Sequence, residues 1–197
     1  DCYDICMFQE TWAVNDVYHS GYTNYCVKAH SAGRGRPSGG LTISVKTTFP
    51  GKVKQLSINS PDLMGLKIEV NLRKHIYLFN VYSRMGKGQV GAETIKLLES
   101  LCGSLGMEGY LLVTGDFNTT YKPLAGLPCS LSADEDEQWS VPALQLSHAK
   151  HWSQAALQLN SLTLNIGLRA CNGRTPSDQA GKHTYKRSNC SSRIDYN

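Results

Sequence analysis

The sequence predicts a mixed α/β fold, read either as α/β layers or as a β-sandwich flanked by helices. Three observations predict it. Short apolar, β-branched runs recur along the chain, only two stretches carry helical spacing, and glycine-rich loops separate them. In chain order, residues 3–8, 41–45, 66–70, 76–81 and 110–113 read as strands, because each apolar run ends on polar residues. Residues 92–105 read as a helix, as do residues 150–164, where Trp152, Ala156, Leu159 and Leu162 fall near helical spacing. The loops at 31–40 and 84–91 are rich in glycine. No repeat, heptad or low-complexity tract breaks the pattern, so residues 1–197 read as one domain.

Composition narrows the class. Hydrophobic residues make up 41% of the 197 and charged residues 18%, below the roughly 25% of average proteins, which favours a packed core over disorder. No apolar run approaches the roughly 20 residues of a membrane-spanning helix. The start, Asp1-Cys2-Tyr3-Asp4, carries no leader pattern. The seven cysteines (Cys2, Cys6, Cys26, Cys102, Cys129, Cys171, Cys190) form no Cys-x-x-Cys pair, which argues against structural zinc. Several sit in apolar runs, where a thiol acts as a small hydrophobe, and the expected setting is a reducing one, nuclear or cytoplasmic. Twenty Lys and Arg against 16 Asp and Glu leave +4, compatible with a polyanionic partner.

Chemistry is expected where strands emerge, because a rigid scaffold holds the loops there. Glu10 follows the first run, Asn80 and Tyr82 close the fourth, Asp116 and Asn118 follow the fifth, and Asp195 follows Ser191-Ser192-Arg193-Ile194. Carboxylates and amides are hard oxygen ligands suited to Mg²⁺ or Mn²⁺, and Mg²⁺ commonly takes one or two protein carboxylates. Glu10 with Asp195 could supply that pair, leaving Asp116 to orient or deprotonate a water. The acidic run Asp134-Glu135-Asp136-Glu137 reads instead as a solvated loop, since alternate side chains of a strand cannot all face one ion.

Five motifs then carry a resemblance. Gln9-Glu10-Thr11-Trp12, Gly39-Gly40, Asn80-Val81-Tyr82, Gly115-Asp116-Phe117-Asn118 and Ser192-Arg193-Ile194-Asp195-Tyr196 stand in the order found in the exonuclease–endonuclease–phosphatase superfamily. Within it, Asn172-Gly173-Arg174-Thr175, Thr184 and the Ser-x-Ile-Asp-Tyr ending resemble the endonuclease domain of non-LTR retrotransposons. The resemblance implies a DNase I-like, four-layered β-sandwich flanked by helices and lacking the family's first and last strands. It also implies Mg²⁺-dependent hydrolysis of a DNA phosphodiester, the nick priming a reverse transcriptase of the same polyprotein.

By the same resemblance, Glu10 would bind the metal and Tyr82 would contact the scissile phosphate or leaving group. Asp116 would activate water, Asn118 would hold Asp116 and a phosphate oxygen, and Asp195 would support the metal or a histidine. Thr184 and Ser192 match positions near the DNA-contacting surface. Arg34, Arg36, Arg174, Lys186 and Arg187 are the candidate phosphate-neutralising cations, with Lys182 and His183 beside them. Trp12 would line the cleft or pack beneath it, while Trp152 reads as core. The family opens on an Asn-bearing strand and closes on Ser-Asp-His, and neither is in this chain, so it is expected to be an internal fragment. A missing core strand forfeits about 1.5–3 kcal/mol per buried side chain, so the isolated chain is expected to be marginally folded and inactive. The rival readings are an abasic-site endonuclease or phosphoesterase of the same superfamily, and a decayed or domesticated nucleic-acid-binding or interaction module without catalysis.

Overall fold

The structure, a computed structural model, describes residues 3–31, 33, 35–71, 74–84, 90–119, 154–168, 185–187, 190–192 and 195–196. Two sheets pack face to face, and two helices cover the far side of the larger one. Strands β1 (Ile5–Gln9), β2 (Tyr22–Val27) and β3 (Leu41–Lys46) form an antiparallel sheet in the order β1-β3-β2. Strands β4 (Lys52–Gln55), β5 (Leu63–Asn71), β6 (Lys74–Tyr82) and β7 (Gly109–Asp116) form the second sheet with β10 (Asp195–Tyr196), in the order β10-β7-β6-β5-β4. Strands β6 and β7 run parallel and are joined by helix α1 (Val90–Leu105), the crossover that a parallel pair requires. Helix α2 (Gln154–Ile166) packs on α1, and β8 (Tyr185–Arg187) pairs antiparallel with β9 (Cys190–Ser192). The fold is mixed α/β, a sandwich of sheets carrying helices, as the sequence pattern predicts.

Alternation along β6 explains the layering. Tyr77, Phe79 and Val81 are buried against Ile95, Leu98 and Cys102 of α1 and Leu159 and Leu162 of α2. Leu78, between them, packs the other way, with Met64, Leu66 and Ile68 of β5 and with Leu41, Ile43 and Val45 of β3. A strand covered on both faces has no polar side, which is why residues 76–79 form an unbroken apolar run.

Most element limits shift by a few residues from the sequence reading, the short strands β8–β10 were not expected, and three further differences have a physical reason. Strand β5 starts at Leu63 rather than residue 66, because Gly65 interrupts the apolar pattern without ending the pairing. Strand β2 was not expected, since its Thr23-Asn24 pair dilutes the apolar signal. Strand β4 is an edge of alternating lysines, the composition that blunts an edge rather than advertises a strand.

Candidate active site at the strand ends

The site forms where β1, β6 and β7 all end. Asn80, expected at a strand exit, is instead fully buried between the sheets. Its Nδ2 donates to the carbonyls of Phe8 (3.1 Å) and Thr42 (3.3 Å), and its Oδ1 accepts from Gln9 Nε2 at 2.6 Å. One amide thus ties β6 to β1 and β3, which fixes the end of the first sheet over the end of the second. Immediately beyond, the Tyr82 hydroxyl donates to Glu10 Oε1 at 2.5 Å. Residues 72 apart in sequence meet because their strands end together.

The second sheet supplies the rest. In the β6–β7 register Tyr82 lies opposite Asp116, and in the β7–β10 register Asp116 lies opposite Asp195. The Asn118 backbone N–H donates to Asp116 Oδ1 at 2.8 Å and its Nδ2 donates to Oδ2 at 3.1 Å. Both carboxylate oxygens are therefore oriented by the same residue. The Ser83 N–H donates to the Asp116 carbonyl (2.8 Å) and the Tyr82 N–H to the Asp62 carbonyl (2.9 Å), so the end of β6 is stitched on both sides.

Three non-glycine residues here adopt left-handed backbone: Glu10 (φ 51°), Trp12 (φ 51°) and Asn118 (φ 45°). The turn holding the first two is anchored by Thr11 N–H to the Gly40 carbonyl (3.2 Å) and Trp12 N–H to the Gly39 carbonyl (3.0 Å). This is the structural use of the Gly39-Gly40 motif: a Cβ on Gly40 would run into the Thr11 hydroxyl. Trp12 is 40% exposed, with the Arg36 guanidinium 3.0 Å above its ring.

Burial, reinforced by the hydrogen bond and charge of Glu10 and by the charge of Asp116, pushes the Tyr82 hydroxyl well above its usual value, against the pull of Arg84. Tyr82 is thus a proton-bearing donor at neutral pH. Among the described residues no group of three or more His, Cys, Asp and Glu could cage a metal. The oxygen donors present suit a hard divalent ion all the same. The exposed Glu10 has Oε2 to offer while Oε1 accepts from Tyr82, and one or two such carboxylates are what Mg²⁺ ordinarily takes from a protein.

Glu10, Tyr82, Asp116 and Asn118 are brought together, and the backbone of Asp195 joins them through its pairing with Asp116. Arg36 lies over the ring of Trp12, two residues past Glu10. Lys186 and Arg187 lie on β8 and Ser192 on β9, where Tyr185 pairs with Ser192 and Lys186 with Ser191. Arg34, Arg174, Thr184, Lys182, His183, Trp152 and the run 134–137 lie outside the described residues.

Sequence reading passed over Asp62 and Arg84. Arg84 Nε donates to Asp62 Oδ1 at 2.6 Å in an ion pair whose carboxylate is buried. The one available signal was position: Arg84 follows Tyr82 by two residues.

No protein-family model matches the chain, and no curated protein does. Among solved structures, ANGEL2, described as a 2′,3′-cyclic phosphatase, superposes with a TM-score of 0.43 at 18% identity, over 59% of this chain and 40% of that one. The human Nocturnin catalytic domain with bound sulfate superposes with a TM-score of 0.39 at 15% identity, over 59% of this chain and 52% of that one. The chain thus spans about half or less of either structure's length.

Proposed function

We propose that this chain is part of a divalent-metal-dependent phosphodiesterase of the exonuclease–endonuclease–phosphatase superfamily, of the non-LTR retrotransposon type, that nicks DNA. The observation that carries the reading is the convergence of Glu10, Tyr82 and the Asn118-held Asp116 at adjoining strand ends. The order of the five motifs supports it independently.

Each residue has a role its surroundings suit. Asp116, oriented by two Asn118 donors, takes the proton of the attacking water. Tyr82, whose hydroxyl stays protonated, would turn its one proton from Glu10 to the phosphate or leaving oxygen when substrate is bound. Glu10 would hold the ion, with Asp195 as the second carboxylate. A divalent ion, when bound, offsets charge on the phosphate oxygens. Lys186 and Arg187 would neutralise DNA phosphates, and the nick would leave a 3′ hydroxyl for a reverse transcriptase.

The test is supercoiled-plasmid nicking by the full-length protein that carries this chain. Nicking is expected with Mg²⁺ or Mn²⁺, is expected to vanish with EDTA, and should fall by about 10²–10⁴-fold in Asp116→Ala. Nicking that survives Asp116→Ala would overturn the assignment of the base. Cleavage confined to abasic plasmid would move the substrate to the abasic-site class, and DNA binding without any nicking would favour a non-catalytic module.

A further inference from the structure

We propose that Arg84, fixed in place by Asp62, is a phosphate-binding residue of this site, donating to a non-bridging oxygen of the phosphodiester. The inference rests on the nuclease reading above and extends it to a residue outside the five motifs.

Arg84 is held by a buried residue. Asp62 is buried, 3% exposed, just before β5, and its backbone carbonyl accepts from the Tyr82 N–H. Its carboxylate takes the Arg84 Nε, so two bonds from one residue lock the chain just past the end of β6. Nε is one of five N–H donors on a guanidinium. Among the described residues, Asp62 is the partner recorded for Arg84, and the side chain remains 28% exposed. Most of a rigid, planar donor array is left available, which is the geometry that suits arginine to phosphate.

Its direction is fixed by Gly39. A Cβ there would sit 3.0 Å from Arg84 Nη2 and 3.6 Å from Cζ, so glycine at 39 leaves room for the guanidinium to lie against the loop. That loop is the one whose Gly39 and Gly40 carbonyls accept from Trp12 and Thr11, the residues following Glu10. On its other side, Ser83 is bonded to the Asp116 carbonyl. The guanidinium therefore lies between the Glu10 turn and the end of the Tyr82 strand, and its charge is felt at the Tyr82 hydroxyl. Glu10 and Asp116 both repel a phosphate, and the Arg84 guanidinium, lying against the Gly39 loop, is a cation placed to oppose them. Asp62 is then a positioning residue.

A merely structural pin would make a different prediction, so the test separates the two. DNA affinity is measured against salt for the full-length protein in the Asp116→Ala background, where no cleavage intervenes. Arg84→Gln is expected to lower affinity by about tenfold. It should also reduce the slope of log affinity against log salt by about 0.9, the share of one phosphate contact on duplex DNA. Arg84→Lys keeps a charge beside Asp62 and is expected to restore the slope. In the otherwise native protein Arg84→Lys should still nick about tenfold more slowly, for want of the planar fork. Wild-type slope and affinity in a folded Arg84→Gln protein overturn the inference while leaving the nuclease reading intact. If Arg84→Gln fails to fold, Arg84→Lys decides alone: native nicking rates overturn the proposal. Absence of DNA binding in the parent protein overturns both readings.

Discussion

Replacing Gly115 with alanine asks whether the rung carrying Tyr82 and Asp116 depends on a backbone that glycine alone tolerates. Gly115 lies opposite Val81 in the parallel β6–β7 pair, one residue before Asp116, with φ +141°. A Cβ there would meet the Val81 nitrogen at 2.7 Å and its carbonyl carbon at 2.8 Å, with the carbonyl oxygen nearer still. Ordinary carbon contacts begin near 3.5 Å, so the two strands must separate by roughly 1 Å. The conformational strain costs about 1–3 kcal/mol and the overpacking about 1–3 kcal/mol. At roughly 2–4 °C of Tm per kcal/mol for a domain of this size, Gly115→Ala should melt about 4–24 °C lower. Gly21→Ala is the control: φ is +79° but no atom lies within 4 Å of the added Cβ, so it carries the conformational part alone. Thermal unfolding followed by circular dichroism measures both. A Gly115→Ala shift no larger than that of Gly21→Ala would refute the clash, and with it the claim that glycine keeps β6 and β7 close enough to align the site.

Three further outcomes are expected. Asn80→Ala removes both amide donors to the Phe8 and Thr42 carbonyls and should lower stability by about 2–6 kcal/mol in urea titrations, given about 1–3 kcal/mol for each buried group left unpaired; a loss under about 1 kcal/mol would mean the sheets are held otherwise. Tyr82→Phe keeps the ring but loses the hydroxyl proposed to donate to the phosphate, and should slow plasmid nicking about 10–100-fold, a hydrogen bond to a charged group being worth that much. Alkaline pH should destabilise the fold. Burial pushes the Cys102 thiol up to about 12, and burial, with the hydrogen bond and charge of Glu108, pushes Tyr77 up to about 12, with Tyr82 raised as well. The unfolded chain loses these protons from about pH 9 (thiol) and pH 10 (phenols) while the folded one retains them, so stability falls as pH rises toward 12. A Tm constant from pH 8 to 11 would contradict this.

The legible parts of the molecule are those whose signal is local. Leu41, Ile43 and Val45 alternate inward and announce β3, and the run at 76–79 announces a strand buried on both faces. Glu10, Tyr82 and Asp116 could be nominated because each is polar and ends such a run, a property visible without knowing the partner strand. What could not be read is pairing. Nothing within residues 60–64 says that Asp62 will be buried, and nothing near Arg84 says that its guanidinium will be tied back over 22 residues. The register that sets Tyr82 against Asp116 is equally non-local, chosen by a helix crossover and by glycine at 115. Asn80 shows the converse failure: its polarity marked it as a strand exit, whereas its hydrogen bonds let it be buried inside one.

The backbone supplies an argument that motif order does not. An L-residue in the left-handed region costs about 1–2 kcal/mol, a penalty glycine would avoid. The chain nevertheless has Glu10 and Asn118 there, each at the first or second residue after its strand ends. Asn118 has a local reason, since its side chain and backbone together clasp Asp116. Glu10 has no hydrogen bond to its own turn; its side chain reaches across to Tyr82. The turn is held from outside, by the Gly39 and Gly40 carbonyls acting on the two residues that follow. Strain that is tolerated, externally braced and aimed at a second element is better explained by what the side chain does than by how the turn folds. Glu10→Gly should then raise thermal stability slightly while abolishing nicking. A variant that loses stability and keeps its activity would show that Glu10 serves the turn instead.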